Sequence, residues 1–374
     1  MAIESIIGAV ASIAVIIFVH ELGHFLVAKR CGVDVLVFSL GFGPKLLSYR
    51  SGETEYRLSL IPLGGYVRMA GQDDLRDPAG GQADDAPVAE GDIEGSGDPA
   101  RRFSAKSLGQ RTAIVAAGPT VNLLFAFLLF AVAAAIYGSP VAVEEARIAG
   151  VREGGPAASA GLRTGDTVVA IDDASVAGWE DLAGRVRESG GTQLAFTVID
   201  AEGRSRSVTV VPERHDQRDM FGEVTGETFM VGIERAFENQ AVGIIEAAGI
   251  GARQTWFWTR VIFETLARLF QGRVSASDLG GPIMIAQEAG RRAAHGLEPL
   301  LRFMALISVN LGVINVLPIP VLDGGHLLFF GIEGLRGRPL SVRYRELAQQ
   351  VGVFLLLALM VFVVFNDISR IVGN

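Results

Sequence analysis

Four stretches of the chain stay apolar for long enough to cross a bilayer, and polar sequence separates them. The first runs from Ile6 to Ala28; at about 1.5 Å per helical residue it reaches about 34 Å, against a hydrocarbon core of about 30 Å. It is read as a permanent helix within residues 1–30, not a cleaved signal, because Glu4 precedes it, no Lys or Arg does, and no small-residue cleavage site follows. The second, Thr112 to Tyr137 (segment 112–138), contains "NLLFAFLLFAVAAAIY" and carries no charge. The third, within 303–323, is broken near its end by Pro318 and Pro320, and the fourth covers 351–368.

The intervening sequence follows other patterns. In the loop 31–111, "EYRLSLIPLGGYVRM" alternates apolar Tyr56, Leu58 and Leu60 with Arg57 and Ser59, then turns at Pro62 to Gly65, which predicts a β-hairpin over 53–70. Residues 72–99 are different: nine acidic side chains fall between 73 and 98, with many Gly and Pro, so a disordered insert is expected. Residues 142–213 read as a soluble α+β unit. "GGPAASAGLRTGDTVVAIDD" supplies a helix start, a Gly-Asp turn and an apolar strand, followed by a helix near Glu180–Glu188 and strands at Leu194–Asp200 and Arg206–Val211. This unit resembles a PDZ domain of the kind found in bacterial envelope proteases, a fold that binds extended chain ends by strand addition. The rest, 214–302, is expected to be a linker with amphipathic helices; 241–270 would lie at the membrane interface with Trp256 and Trp258 at headgroup level.

Composition agrees with a membrane protein. Of 374 residues 49% are hydrophobic, mean hydropathy is +0.37 and net charge is -8, while the charged residues collect between the apolar islands. The expected class is therefore an α-helical polytopic membrane protein of about four transmembrane helices, with a membrane-associated hairpin, an inserted extracytoplasmic domain and no nucleic-acid partner. Lys29 and Arg30 after the first span, Arg111 before the second, and Arg336, Arg338, Arg343 and Arg345 in the loop 324–350 point those loops to the cytoplasm; Arg291, Arg292 and Arg302 are exceptions. Cys31, the single cysteine, can form no intramolecular disulfide.

The chemistry lies where the hydropathy pattern is violated. "HELGH" at 20–24 puts two histidines four apart on one helix face with Glu21 beside them, a zinc-ligand pair and the base that takes a proton from water. Ionisable residues near mid-membrane cost about 2.5–3.5 kcal/mol on insertion scales and signal function by default. A third ligand must also approach the bilayer, and Asp323 in "NVLPIPVLDGGHLLFF" does so, after a proline-broken helix and before two glycines. His326 is assigned a structural or supporting part. A zinc transporter would carry acidic or histidine residues along more spans, and an inert scaffold presenting the PDZ-like unit has no use for HELGH or Asp323.

HELGH together with NVLPIPVLDGG at 315–325 resembles the site-2 protease family of intramembrane zinc metalloproteases, most closely the bacterial regulator-of-sigma-E protease group. "FSLGFGPKLL" (38–47), "IPLGGYVRMAG" (61–71), "GPTVNLLFA" (118–126) and "GPIMIAQEAG" (281–290) extend the resemblance over nearly the whole chain. It implies one Zn2+ held by His20, His24 and Asp323, with Glu21 as catalytic base. It also implies that the hairpin, with Gly64, Gly65 and Tyr66, pairs with unwound substrate, which Asn315 helps to hold. Substrates would be single-pass membrane proteins, such as anti-sigma factors or remnant signal peptides, cut in the lipid bilayer of the bacterial inner membrane. The active site would face the cytoplasm and the PDZ unit the periplasm.

Overall fold

The computed structural model describes residues 2–72, 97–273 and 280–372, so the expected acidic insert lies almost wholly outside the described residues. In chain order the elements begin with α1 (Ala2–Arg30), β1 (Val35–Ser51), β2 (Thr54–Met69), α2 (Leu108–Tyr137), β3 (Ser139–Ala142), β4 (Ile148–Val151) and α3 (Pro156–Ser159). Next come β5 (Thr167–Ile171), β6 (Ala174–Ser175), α4 (Trp179–Glu188), β7 (Leu194–Ile199), β8 (Ser205–Val210), β9 (Glu213–Arg218), β10 (Val224–Met230), β11 (Ile233–Arg235) and β12 (Phe237–Gln240). The described chain closes with α5 (Ile244–Phe270), α6 (Pro282–Ala294), α7 (Leu297–Val316), α8 (Asp323–Arg336) and α9 (Val342–Val372). Contacts divide this into two compact units: Met1–Ala133 with Ile245–Leu269 and Ser275–Asn374, and Ala134–Ile244 with Phe270–Val274.

In the first unit, four helical segments among the described residues are long and apolar enough to span a membrane: Val10–Arg30, Leu108–Tyr137, Leu297–Val316 and Val342–Arg370. The 27-residue α5 is not among them, and it carries Glu246, Arg253, Arg260, Glu264 and Arg268. Trp256 is exposed, whereas Trp258 packs with Ile262 against the cluster that holds Phe130, Val309 and Val313 of α2 and α7. Element ends also move. The third span stops at Val316, because Pro318 and Pro320 cannot donate the hydrogen bonds that would extend it. The expected loop 324–350 is largely helical. α8 runs to a left-handed Gly337, and α9 begins at Val342, where Arg343, Arg345 and Glu346 lower the local hydropathy without breaking the helix.

The hairpin exists but is drawn differently. Its tight turn lies at Ser51–Thr54 with Gly52 at φ 60°, and 62–65 fall inside β2. Both strands bend, so that Phe38 has Tyr56 on one side and Val67 on the other. The alternation of 55–61 was legible, but its partner strand was β1, whose own register is interrupted by irregularities at Gly41 to Pro44. Phe42, Leu46, Leu47, Tyr49, Leu60 and Ile61 remain exposed along the ribbon. Its base is fixed by Val33, Val35 and Met69, which pack with Ala28, Phe103, Ile114 and Phe330.

The second unit holds an antiparallel four-stranded sheet of order β6-β5-β7-β8, with Val168, Phe196, Val198 and Val210 forming its core under Leu182 and Val186 of the amphipathic α4. Its limits exceed the expected 142–213. β11 pairs with β4, and β12 pairs with β3 so that Gln240 sits opposite Ser139. The Gly-Asp turn is structural, since buried Asp166 accepts from the Arg163 amide at 2.8 Å and pairs with Arg206. Between α4 and β10–β11 lies a groove of about 420 Å³ lined by Trp179, Leu182, Val186, Phe229, Met230 and Ile233.

Candidate metal centre

α1 places His20 and His24 one turn apart, and both rings are buried, their Nε2 atoms 3.2 Å from each other. Asp323 opens α8. The chain reaches it by doubling back so tightly that a Cβ on Gly324 would strike the Val316 and Leu317 carbonyls, and one on Gly325 the Ile319 carbonyl. Two glycines are therefore what lets the carboxylate approach α1. Its Oδ2 lies 3.2 Å from His20 Nε2 and 3.4 Å from His24 Nε2, and it is buried without a hydrogen-bond partner among the described residues.

These atoms suit a metal ion. Three ligand atoms converge, and with zinc bonds of about 2.0–2.1 Å the edge of a tetrahedron is about 3.3 Å, matching the three separations observed. His24 Nδ1–H donates to the Ile114 carbonyl at 2.9 Å, which leaves Nε2 with a lone pair facing the cluster. α2 makes room for this. Pro119 interrupts the hydrogen bonding of its turn, and a Cβ on Gly118 would collide with His24 Nε2 and approach His20 Cε1 to 2.8 Å.

Glu21, Tyr66, Asn315 and His326 line the same cavity of about 270 Å³ as the three clustered residues. A Cβ on Gly65 would come 3.2 Å from Glu21 Cγ, and Val67 lines the same cavity, so the hairpin edge lies against the Glu21 side chain. Tyr66 is held from two sides, by Phe42 in a near-parallel stack (interplanar angle 9°) and by Arg57 Nη1, which donates to its hydroxyl at 3.3 Å. Gly64 faces away, its missing side chain replaced by the Phe42 ring. Arg57 in turn pairs with Glu55 at 2.6 Å; that hydrogen bond, helped by Lys45, holds the Glu55 carboxyl down at about 2. His326 packs edge-on against Phe329 and is not one of the three clustered residues that could hold a metal ion.

The far end of the cavity was missed from sequence. Glu333, Arg345, Glu346 and Gln349 line it, and Arg111 forks onto Glu333 at 2.6 and 3.3 Å. The signal was present: His326, Phe329, Phe330 and Glu333 repeat at helical spacing through a stretch read as a loop.

The sequence model of peptidase family M50 matches residues 8–359. A protein of Agrobacterium fabrum carrying a zinc-metalloprotease name is 38% identical over 98% of this chain and 96% of its own length. Zinc metalloprotease RasP of Geobacillus kaustophilus is 34% identical, with 98% of both chains covered, and the RasP of Oceanobacillus iheyensis is 31% identical over 98% of this chain and 99% of its own.

Proposed function

The chain belongs to peptidase family M50 and is a zinc metalloprotease of the site-2 type, and from that premise we propose that it hydrolyses peptide bonds inside the membrane-spanning segments of single-pass membrane proteins. The observation that carries the reading is the convergence of His20, His24 and Asp323 with Glu21 on one cavity built from helices that qualify as membrane spans. His20, His24 and Asp323 hold the metal, and bound zinc supplies Lewis acidity toward a peptide carbonyl and a water molecule. Glu21 takes the water proton, and Gly65 of the hairpin lies against its side chain. A helical substrate hides its carbonyls in its own hydrogen bonds, so it must unwind first. The β2 edge around Gly64, Gly65 and Tyr66 receives the unwound segment as an added strand, and Asn315 helps to hold it.

The second unit is, on this proposal, a PDZ domain on the extracytoplasmic side that screens substrates. Its sheet, its amphipathic α4 and the groove beside β10–β11 support that reading, and the groove offers an apolar seat for a chain end. The bacterial inner membrane is the compartment, with the catalytic cavity toward the cytoplasm, as the basic residues at the ends of the spans favour. Anti-sigma factors and remnant signal peptides are the substrate classes that fit. The test is cleavage of a purified single-pass substrate in detergent, with and without a zinc chelator. Cleavage within its spanning segment, lost on chelation and restored by zinc, is expected; cleavage confined to soluble loops would refute the intramembrane reading.

A further inference from the structure

Asn122 is a wholly buried amide in the apolar α2. Its Nδ2 stands 3.2 Å from His20 Nδ1, while its Oδ1 is buried and has no hydrogen-bond partner among the described residues. Amide orientation and imidazole tautomer are assigned together. With the amide nitrogen toward the ring, His20 Nδ1 must accept, and the proton of a neutral imidazole then sits on Nε2, the atom 3.2 Å from both His24 Nε2 and Asp323 Oδ2. Such a nitrogen has no lone pair to give to a metal. With the amide reversed, Nδ1–H donates to Oδ1, the unpartnered oxygen gains a donor, and Nε2 turns its lone pair into the cluster. His24 already has this arrangement, with the Ile114 carbonyl as acceptor.

We infer that Asn122 is a positioning residue for His20: its amide oxygen accepts the Nδ1 proton, sets the ring's tautomer and orientation, and so presents Nε2 to the metal. The inference rests on the proposed role of His20 as a ligand. α2 thus supplies both histidines with their outer partners, a backbone carbonyl for His24 and a side-chain oxygen for His20, within two turns. It also gives "GPTVN" a purpose the sequence pattern did not disclose. Gly118 leaves space for the rings, Pro119 opens the turn, and Asn122 orients the farther ring.

Zinc affinity of the purified full-length chain, measured by competition with a chromophoric chelator, tests this without recourse to activity. Asn122→Leu, which cannot accept, is expected to bind zinc about 10–100-fold more weakly. Asn122→Asp, whose carboxylate accepts and cannot donate, is expected to keep the wild-type affinity. Wild-type affinity in Asn122→Leu, or equal weakening in both variants, overturns the inference. His20→Ala serves as reference: if it retains zinc, the ligand assignment itself fails, whereas zinc loss in His20→Ala with none in Asn122→Leu removes only the role of Asn122. Should either Asn122 variant fail to fold, long-range nitrogen–proton spectra of the histidine-labelled, zinc-loaded wild type decide the matter. His20 is identified there by its loss in His20→Ala; a proton on Nδ1 is expected, and a proton-free Nδ1 overturns the inference.

Discussion

Glu21 and Asp323 are both carboxylates on the same cavity, yet their surroundings differ. Glu21 has the hairpin edge against its side chain, while Asp323 Oδ2 faces two imidazole nitrogens. Glu21→Gln keeps the shape and the three clustered residues, so it should retain zinc while cleavage falls by about 10²–10⁴-fold. Turnover of a purified substrate beside metal content of the same preparation checks this, and undiminished turnover would remove Glu21 from the chemistry. Asp323→Ala, by contrast, should lose zinc. His326→Ala should lose little, because His326 lines the cavity without joining the cluster. Metal analysis of the two variants separates them, and the opposite order would mean that the wrong side chain has been assigned.

At the scale of elements, α2 and the hairpin do what their sequences disguise. Gly118 and Gly109 are both α2 glycines, but a Cβ at 118 meets the histidine rings and one at 109 meets nothing within 4 Å. Gly118→Ala should therefore weaken zinc binding by about tenfold or more, as loss of ligand support does elsewhere. Gly109→Ala, in the first turn of α2, should leave zinc untouched and stabilise the helix by no more than the mid-helix value of about 0.5–1 kcal/mol. Chelator competition and thermal melting of the pair test both halves. In the hairpin, the hydrogen bond from Arg57 holds Glu55 at about 2, below its ordinary 4.5. A carboxylate depressed in the folded state contributes stability above its unfolded pKa and loses it as pH falls through the folded one. Melting temperature in detergent should thus fall as pH drops from about 4.5 toward about 2, and Glu55→Gln should lack that part of the fall. An unchanged pH profile in the variant would show that the Glu55–Arg57 pair carries no net stabilisation.

For the whole molecule, the second unit offers a clean excision. Ser139 and Gln240 are paired across β3 and β12, so its chain ends meet and a short Gly/Ser linker can replace residues 140–239. Cutting at 213 would instead strand β11 and β12, the partners of β4 and β3. If this unit is a screening domain, the excised protein should keep zinc and the cleavage of a substrate with a short outer tail, and should slowly cut one that still carries its full outer domain. Loss of both activities in a folded, zinc-loaded protein would make the unit part of the catalytic architecture.

How much was legible depended on whether a signal was local. Hydropathy runs, the four-residue spacing of His20 and His24, and the alternation of 55–61 are properties of neighbouring residues, so they were readable in the sequence: among the described residues, four helices long and apolar enough to span a membrane, a histidine pair on one face and a strand in the first loop. The prolines and glycines around Asp323 announced the break between α7 and α8. Tertiary structure alone decided what met across the chain: β1 as the partner of β2, β11 and β12 as completing strands of the second unit, and α8 turning Glu333 toward Arg111. The same holds for the outer partners of the histidines. A backbone carbonyl at Ile114 and an amide at Asn122 lie 90 and 102 residues from the rings they touch, and no pattern within α1 or α2 reports a contact that exists only once the two helices are packed.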